Sequence, residues 1–190
     1  MTPSDPFGAW AGRREALRIL FVGEAWGASE ELHRAPFVGH SGKELIRMFA
    51  DAGVGAGPAF GQMKAGLFRG DEYFLALREE WARGEGVAFT NVFNCRPQDN
   101  KLEALCDAGG KGLVFEGYVL PPLIRSPKHM YLSPVHLHHI ARLKIEIQQA
   151  QPNLAVALGA CPWWALAVLA RRGVTGSHAD VRGTVMEFHT

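Results

Sequence analysis

A short apolar run, Leu17-Arg18-Ile19-Leu20-Phe21-Val22, breaks directly into Gly23-Glu24-Ala25-Trp26-Gly27, and no other junction restricts the fold of the chain as much. A brief, almost unbroken apolar segment closed by glycine reads as a buried strand. A second glycine turn, Pro36-Phe37-Val38-Gly39-His40-Ser41-Gly42, then opens a helical stretch at 43–52, with Ser41 as its N-cap. This order puts Glu24, the amides of the first turn and the ring of Phe37 at the carboxyl end of a strand, where open α/β sheets hold their ligands.

Further strands are expected at 87–92, 154–158 and 181–188, and helices at 71–83, 133–149 and 161–171, where Ser133-Pro134 reads as a cap followed by proline at the first helical position. Strands alternating with helices of this length predict crossover units and a parallel sheet, the α/β class, in a single domain spanning 1–190. Two segments, 53–86 and 98–132, read as insertions. The first starts glycine-rich and continues as a charged helix; the second carries Gly109-Gly110, Gly112, Pro121-Pro122 and Pro127.

With 190 residues, 47% of them apolar, the chain can bury one core. A net charge of +1 excludes a strong global field, so contact with nucleic acid must come from a local patch. No apolar run approaches the roughly 18–20 residues of a membrane span. Residues 1–16 lack the apolar core of a signal peptide. Three cysteines at scattered spacings argue against a disulfide framework and for a reducing, cytoplasmic location.

The strand at 87–92 ends in Thr90-Asn91-Val92 and runs into Phe93-Asn94-Cys95-Arg96-Pro97, with Asn100 beyond. An asparagine at a strand end either caps the turn or binds a ligand, since one amide offers both a donor and an acceptor.

Together the two motifs resemble those of the uracil-DNA glycosylase superfamily, most of all its iron–sulphur branch, family 4. In the first, the GEA run, Gly27, Glu30-Glu31, Pro36-Phe37-Val38-Gly39 and Gly42 fall in register. In the second, Thr90, Asn91, Val92, Cys95, Arg96, Pro97 and Asn100 agree, and Asn94 replaces the usual lysine. Leu158-Gly159-Ala160 matches a third step, where a helix N-terminus can meet a DNA phosphate. The two insertions lie outside the resemblance.

The resemblance implies a three-layer α/β/α sandwich around a central, mostly parallel four-stranded sheet. It also implies a DNA glycosylase that flips a nucleotide out of the helix and hydrolyses the N-glycosidic bond of uracil or a related modified pyrimidine. Catalytic roles then fall to Glu24, which stabilises the sugar cation or orients water, and to Asn91. Base contacts fall to Phe37 by stacking, to Asn91, and to the amides of Ala25, Trp26 and Gly27, which can hold uracil O2 as an oxyanion hole does. DNA contacts fall to Ser41, Arg96 and Gly159. Other roles compete: Glu24 as a cap on loop amides, Phe37 as core packing, Glu30 and Glu31 as loop-ordering or solvated residues, with Glu31 the better functional candidate of the pair.

The chain also departs from the family. Trp26 stands where the family has proline, and its bulk narrows or reshapes a base pocket there. An iron–sulphur cluster needs four thiolates, yet no cysteine precedes Cys95 and the fourth ligand position falls at His139, so no cluster and no cofactor are expected. Cys95 then reads as a small buried residue. His136 and His139 share a helix face at a spacing that suits a metal. No acidic or thiol partner lies at ligand spacing in the sequence, so that face is expected to be solvated and metal-free. His33 and His40 read as surface-loop residues. The family's closing His-Pro-Ser loop has no counterpart before Thr190, so the chain is either truncated or lacks the loop, and His189 is not given its role. DNA is the expected partner of a monomer. The alternative is a non-catalytic glycosylase-fold module that binds damaged or modified DNA, or a protein partner through the insertions; a third is a base-modifying enzyme.

Overall fold

The computed structural model describes residues 18–51, 87–108, 110–125 and 128–171. In chain order its elements are β1 (Ile19–Ala25), α1 (Ala28–His33), α2 (His40–Asp51), β2 (Val87–Phe93), β3 (Cys106–Ala108), β4 (Val114–Phe115), β5 (Tyr118–Val119), β6 (Met130–Leu132), α3 (Leu137–Ala150), β7 (Leu154–Ala157) and α4 (Ala160–Leu169). The central sheet runs β2-β1-β7 and is parallel throughout, with Ile19 opposite both Val87 and Leu154. The expected fourth strand at 181–188 lies outside the described residues, as does the whole segment 53–86 that reads as an insertion, with its helix at 71–83.

Side chains alternate across a strand, so β1 divides its apolar residues between two faces. Leu20 and Val22 join Ala88 and Val92 in a core completed by Ile140 and Leu143 of α3 and by Trp164, Ala165 and Leu166 of α4. Phe21 turns the other way and packs with Val87, Phe89, Phe37 and Ile46 of α2. Helices therefore cover both faces of the sheet, giving the α/β sandwich. Every residue of β2 is buried, as expected for a strand covered on both sides.

Three expectations need adjusting. Strand β1 continues past Val22 through Gly23 and Glu24, because its pairing with β2 persists to Ala25 opposite Phe93. The helix expected at 133–149 opens as a tight turn over Pro134–His136, with Ser133 before it and the proline at its start, and only then becomes α3. Ser41 is not an N-cap: α2 begins at His40, and the Gly39 carbonyl accepts the Lys43 N–H at 3.1 Å.

The insertion at 98–132 is built into the domain. Its described residues form two small antiparallel pairs, β3 with β6 and β4 with β5. Leu105, Leu120 and Leu132 reach the α3/α4 core, and the Trp164 indole N–H donates to the Pro121 carbonyl at 3.1 Å. No helix among the described residues is long and apolar enough to cross a membrane.

Helix α2 is seated by an absence. A Cβ on Gly42 would overlap the Phe37 carbonyl and lie 2.8 Å from Phe37 Cα. Alanine is favoured over glycine within a helix by about 1 kcal/mol, but here the added methyl meets backbone. Gly42→Ala is therefore expected to lower stability, by about 1–3 kcal/mol, as overpacking does; urea unfolding measures the sign.

Candidate functional site

Gly23 faces Asn91 across the β1–β2 pair, and no side chain fits between them. A Cβ on Gly23 would overlap Asn91 Oδ1 and come within 2.7 Å of Phe37 Cζ. The missing methyl lets an amide and an aromatic edge converge on one strand position, and Glu24 is the next residue along the strand. Asn91 and Phe37 are only 4% and 7% exposed. Phe37 holds a left-handed backbone, φ +58°, which is unfavourable for a bulky side chain by on the order of 1–3 kcal/mol. Gly42 closes on its backbone, and its ring packs on Phe89 with centroids 5.4 Å apart, so the surroundings fix the conformation.

Glu30 orders the turns. Its buried carboxylate accepts the Gly27 N–H at 3.1 Å and the Gly39 N–H at 2.7 Å, tying the first glycine turn to the second. The amide-capping role considered for Glu24 thus belongs to Glu30, and Glu24 has no hydrogen-bond or ion-pair partner among the described residues. Glu24 stays exposed at its end of β1, yet partial burial, with a smaller contribution from the charge of Glu103, raises its carboxyl above the usual value. Two of the three amides expected to receive uracil O2 have other partners. The Trp26 N–H donates to the Cys95 carbonyl at 3.1 Å, and that of Gly27 to Glu30. The Trp26 side chain is half-buried, with Nε1 shut from solvent and unpaired.

The expected DNA-contacting residues all follow carboxyl ends of sheet strands. Arg96, beyond β2, is exposed, donates from Nε to Asn100 Oδ1 at 3.0 Å and lies 3.7 Å from the Glu31 carboxylate, linking the first motif to the second. Ser41 is exposed in the first turn of α2. Gly159, beyond β7, precedes α4 with φ +119°, a conformation that side chains resist, and its carbonyl accepts the Trp163 N–H at 3.2 Å.

Sequence reasoning missed the residues that hold Asn91. Arg142 of α3 donates from Nη2 to the carbonyls of Asn91 at 2.6 Å and Val92 at 2.9 Å, and from Nη1 to Thr90 Oγ1 at 3.3 Å. Its charge is matched by Glu146, 2.6 Å away and 1% exposed, which also accepts the Thr90 hydroxyl at 2.7 Å. A glutamate and an arginine one turn apart on the inner face of a helix were the available signal. A surface depression lined by Glu116, Lys144, Gln148 and Arg171 involves none of the residues discussed above.

The histidine face is not solvated as expected. Helix α3 turns His139 inward to 6% exposure, and the loop after β2 delivers Cys95 to it, supplying the thiol partner that sequence spacing could not show. Cys95, His136 and His139 place one ligand atom each within 4.8 Å of the others. Burial, then the charges of His138, Arg142 and His136, push His139 down to about 3, so its imidazole is neutral. Burial likewise lifts the Cys95 thiol, with Arg142 opposing and Glu31 adding to the rise. A four-thiolate iron–sulphur cluster does not fit this group, which contains one cysteine; Cys106 and Cys161 stand outside it.

The parallel sheet, covered by helices on both faces, carries Glu24 and Asn91 near the carboxyl ends of its strands, the edge at which open α/β folds hold ligands. The chain belongs to the uracil DNA glycosylase superfamily, whose family model matches residues 11–187. It is 34% identical over 87 residues to the type-4 uracil-DNA glycosylase of Archaeoglobus fulgidus, a match covering 46% of this chain and 30% of that protein. The matched stretch therefore spans less than a third of that relative.

Removing one partner of a buried ion pair leaves the other charge uncompensated, at about 3–5 kcal/mol. Arg142→Met and Glu146→Leu are each expected to destabilise the chain by that order, and the double variant by clearly less than the sum. Denaturant unfolding of all four forms tests the coupling.

Proposed function

We propose that the chain excises uracil, or a related modified pyrimidine, from DNA by hydrolysing the N-glycosidic bond of a flipped nucleotide. What carries this proposal is the convergence of the Asn91 amide and the Phe37 edge on Gly23 beside Glu24. Family membership supports it independently.

Flipping costs a few kcal/mol, and an apolar wall at Phe37 offsets part of that. The Asn91 amide, its backbone fixed by Arg142, meets the O4 and N3–H of uracil together and leaves cytosine mispaired. Bond breaking puts positive charge on the sugar and negative charge on the leaving base. Glu24, whose carboxylate has no partner among the described residues, is placed to face the sugar cation or to orient water. The amides of Trp26 and Gly27 serve the turn, so recognition rests on Asn91 and Phe37 and charge stabilisation on Glu24.

Incubation with uracil-containing single- and double-stranded DNA, followed by alkali, tests the proposal through strand scission at the uracil. Binding of uracil-DNA without scission would instead favour a non-catalytic module. Asn91→Ala leaves two polar groups of the base unpaired in a desolvated site, so the rate should fall by roughly 2–4 kcal/mol, about 30- to 1000-fold, while binding to undamaged DNA holds. A rate equal to that of the native chain would place the chemistry elsewhere.

The pH dependence has a definite sign. Glu24 acts as a carboxylate, and its raised value means that the ionised form is reached only at higher pH than for an ordinary glutamate. The acid limb of kcat/KM is expected to lie above the usual carboxylate range. Glu103→Gln removes a like charge and should move that limb to lower pH, and Glu24→Gln should abolish the limb along with most of the rate.

A further inference from the structure

Cys95 comes from the loop after β2, and His136 and His139 from the turn and helix of the α3 region, yet their ligand atoms lie within 4.8 Å of one another. Among the described residues, the Nδ1 atoms of both histidines are closed off from solvent and have no hydrogen-bond partner. A buried polar nitrogen left unpaired is costly unless something occupies the space before it. His139 is 6% exposed, and its ring is set edge-on to Phe93 at 5.6 Å and lies 5.9 Å from that of His136. The nearby positive charge of Arg142, which alone would repel a cation, is matched by Glu146 at 2.6 Å.

We propose that Cys95, His136 and His139 bind a single divalent transition ion of the zinc type, with solvent in the fourth position. One thiolate and two imidazoles form a borderline-soft donor set that suits zinc and does not suit magnesium or calcium. Tetrahedral zinc, with bonds of about 2.0–2.3 Å, sets its ligand atoms roughly 3.3–3.8 Å apart. Pairs at the 4.8 Å limit need to contract by up to about 1.5 Å, within reach of side-chain torsions. Binding replaces the proton of the Cys95 thiol, which leaves to solvent. The ion would tie the loop beyond Asn91 to α3, the same two elements that Arg142 joins. This inference is independent of the proposed cleavage activity.

The test uses the full chain, stripped with a chelator and titrated with Zn²⁺ and, separately, Co²⁺. Expected are a single ion per chain, a rise in melting temperature with zinc, and a cobalt spectrum with tetrahedral d–d bands and a thiolate charge-transfer band. Cys95→Ser should remove the charge-transfer band. His136→Asn, at a partly exposed position and therefore the variant better able to fold, should weaken zinc binding about tenfold or more. His138→Asn, beside the group but outside it, should leave binding intact. The inference is overturned if the native chain shows no zinc-dependent rise in melting temperature. It is equally overturned if binding survives both Cys95→Ser and His136→Asn, or if the purified chain carries iron with acid-labile sulphide.

Discussion

Buried carbonyls near the end of a strand need donors, and those that the neighbouring strand does not serve must find them elsewhere. In this chain one guanidinium meets that need. Arg142 reaches from α3 to the carbonyls of Asn91 and Val92 and to the Thr90 hydroxyl, and Glu146 neutralises it from the same helix face. The end of β2 is thereby fixed in place and direction. The position of the Asn91 amide and the delivery of Cys95 to α3 both follow from where β2 stops.

The two carboxylates of the first motif divide the work by burial. Glu30 is inside, satisfied by two glycine amides, and holds the turns together. Glu24 is outside, has no protein partner among the described residues, and is raised above its ordinary value by its surroundings. A charged group that the fold does not use for its own hydrogen bonds is available for chemistry. Phe37 shows the same economy from the opposite direction: its unfavourable φ of +58° persists because Gly42 and Phe89 leave the ring no other place.

The chain belongs to the uracil DNA glycosylase superfamily over nearly its whole length. The described residues of 98–132 form small β ribbons whose leucines enter the α3/α4 core, so this segment is packed as part of the domain. The region of Cys95 holds one thiol and two imidazoles, a donor set that cannot support a four-thiolate cluster.

Much of the fold was legible in the chain, because it depends on local periodicity and glycine placement. The apolar run before Gly23, the buried β2 and the alternating helices announce a parallel α/β sheet, and the motif spacing pointed to Phe37 and Asn91, which meet at Gly23. Other features were not local. That α2 begins at His40 and not after Ser41 is seen only in its backbone bonding, where the Gly39 carbonyl accepts the Lys43 N–H. Whether the Trp26 amide faces a ligand or the fold depended on the arrival of Cys95 from another segment. The histidines read as a solvated face because their thiol partner sits far away along the chain. The sequence by itself determined the strand ends and the residues placed on them, since side-chain alternation and turn chemistry act over a few positions. Only the tertiary structure decided which polar groups were already satisfied, because hydrogen-bond partners are found in space and not in order along the chain.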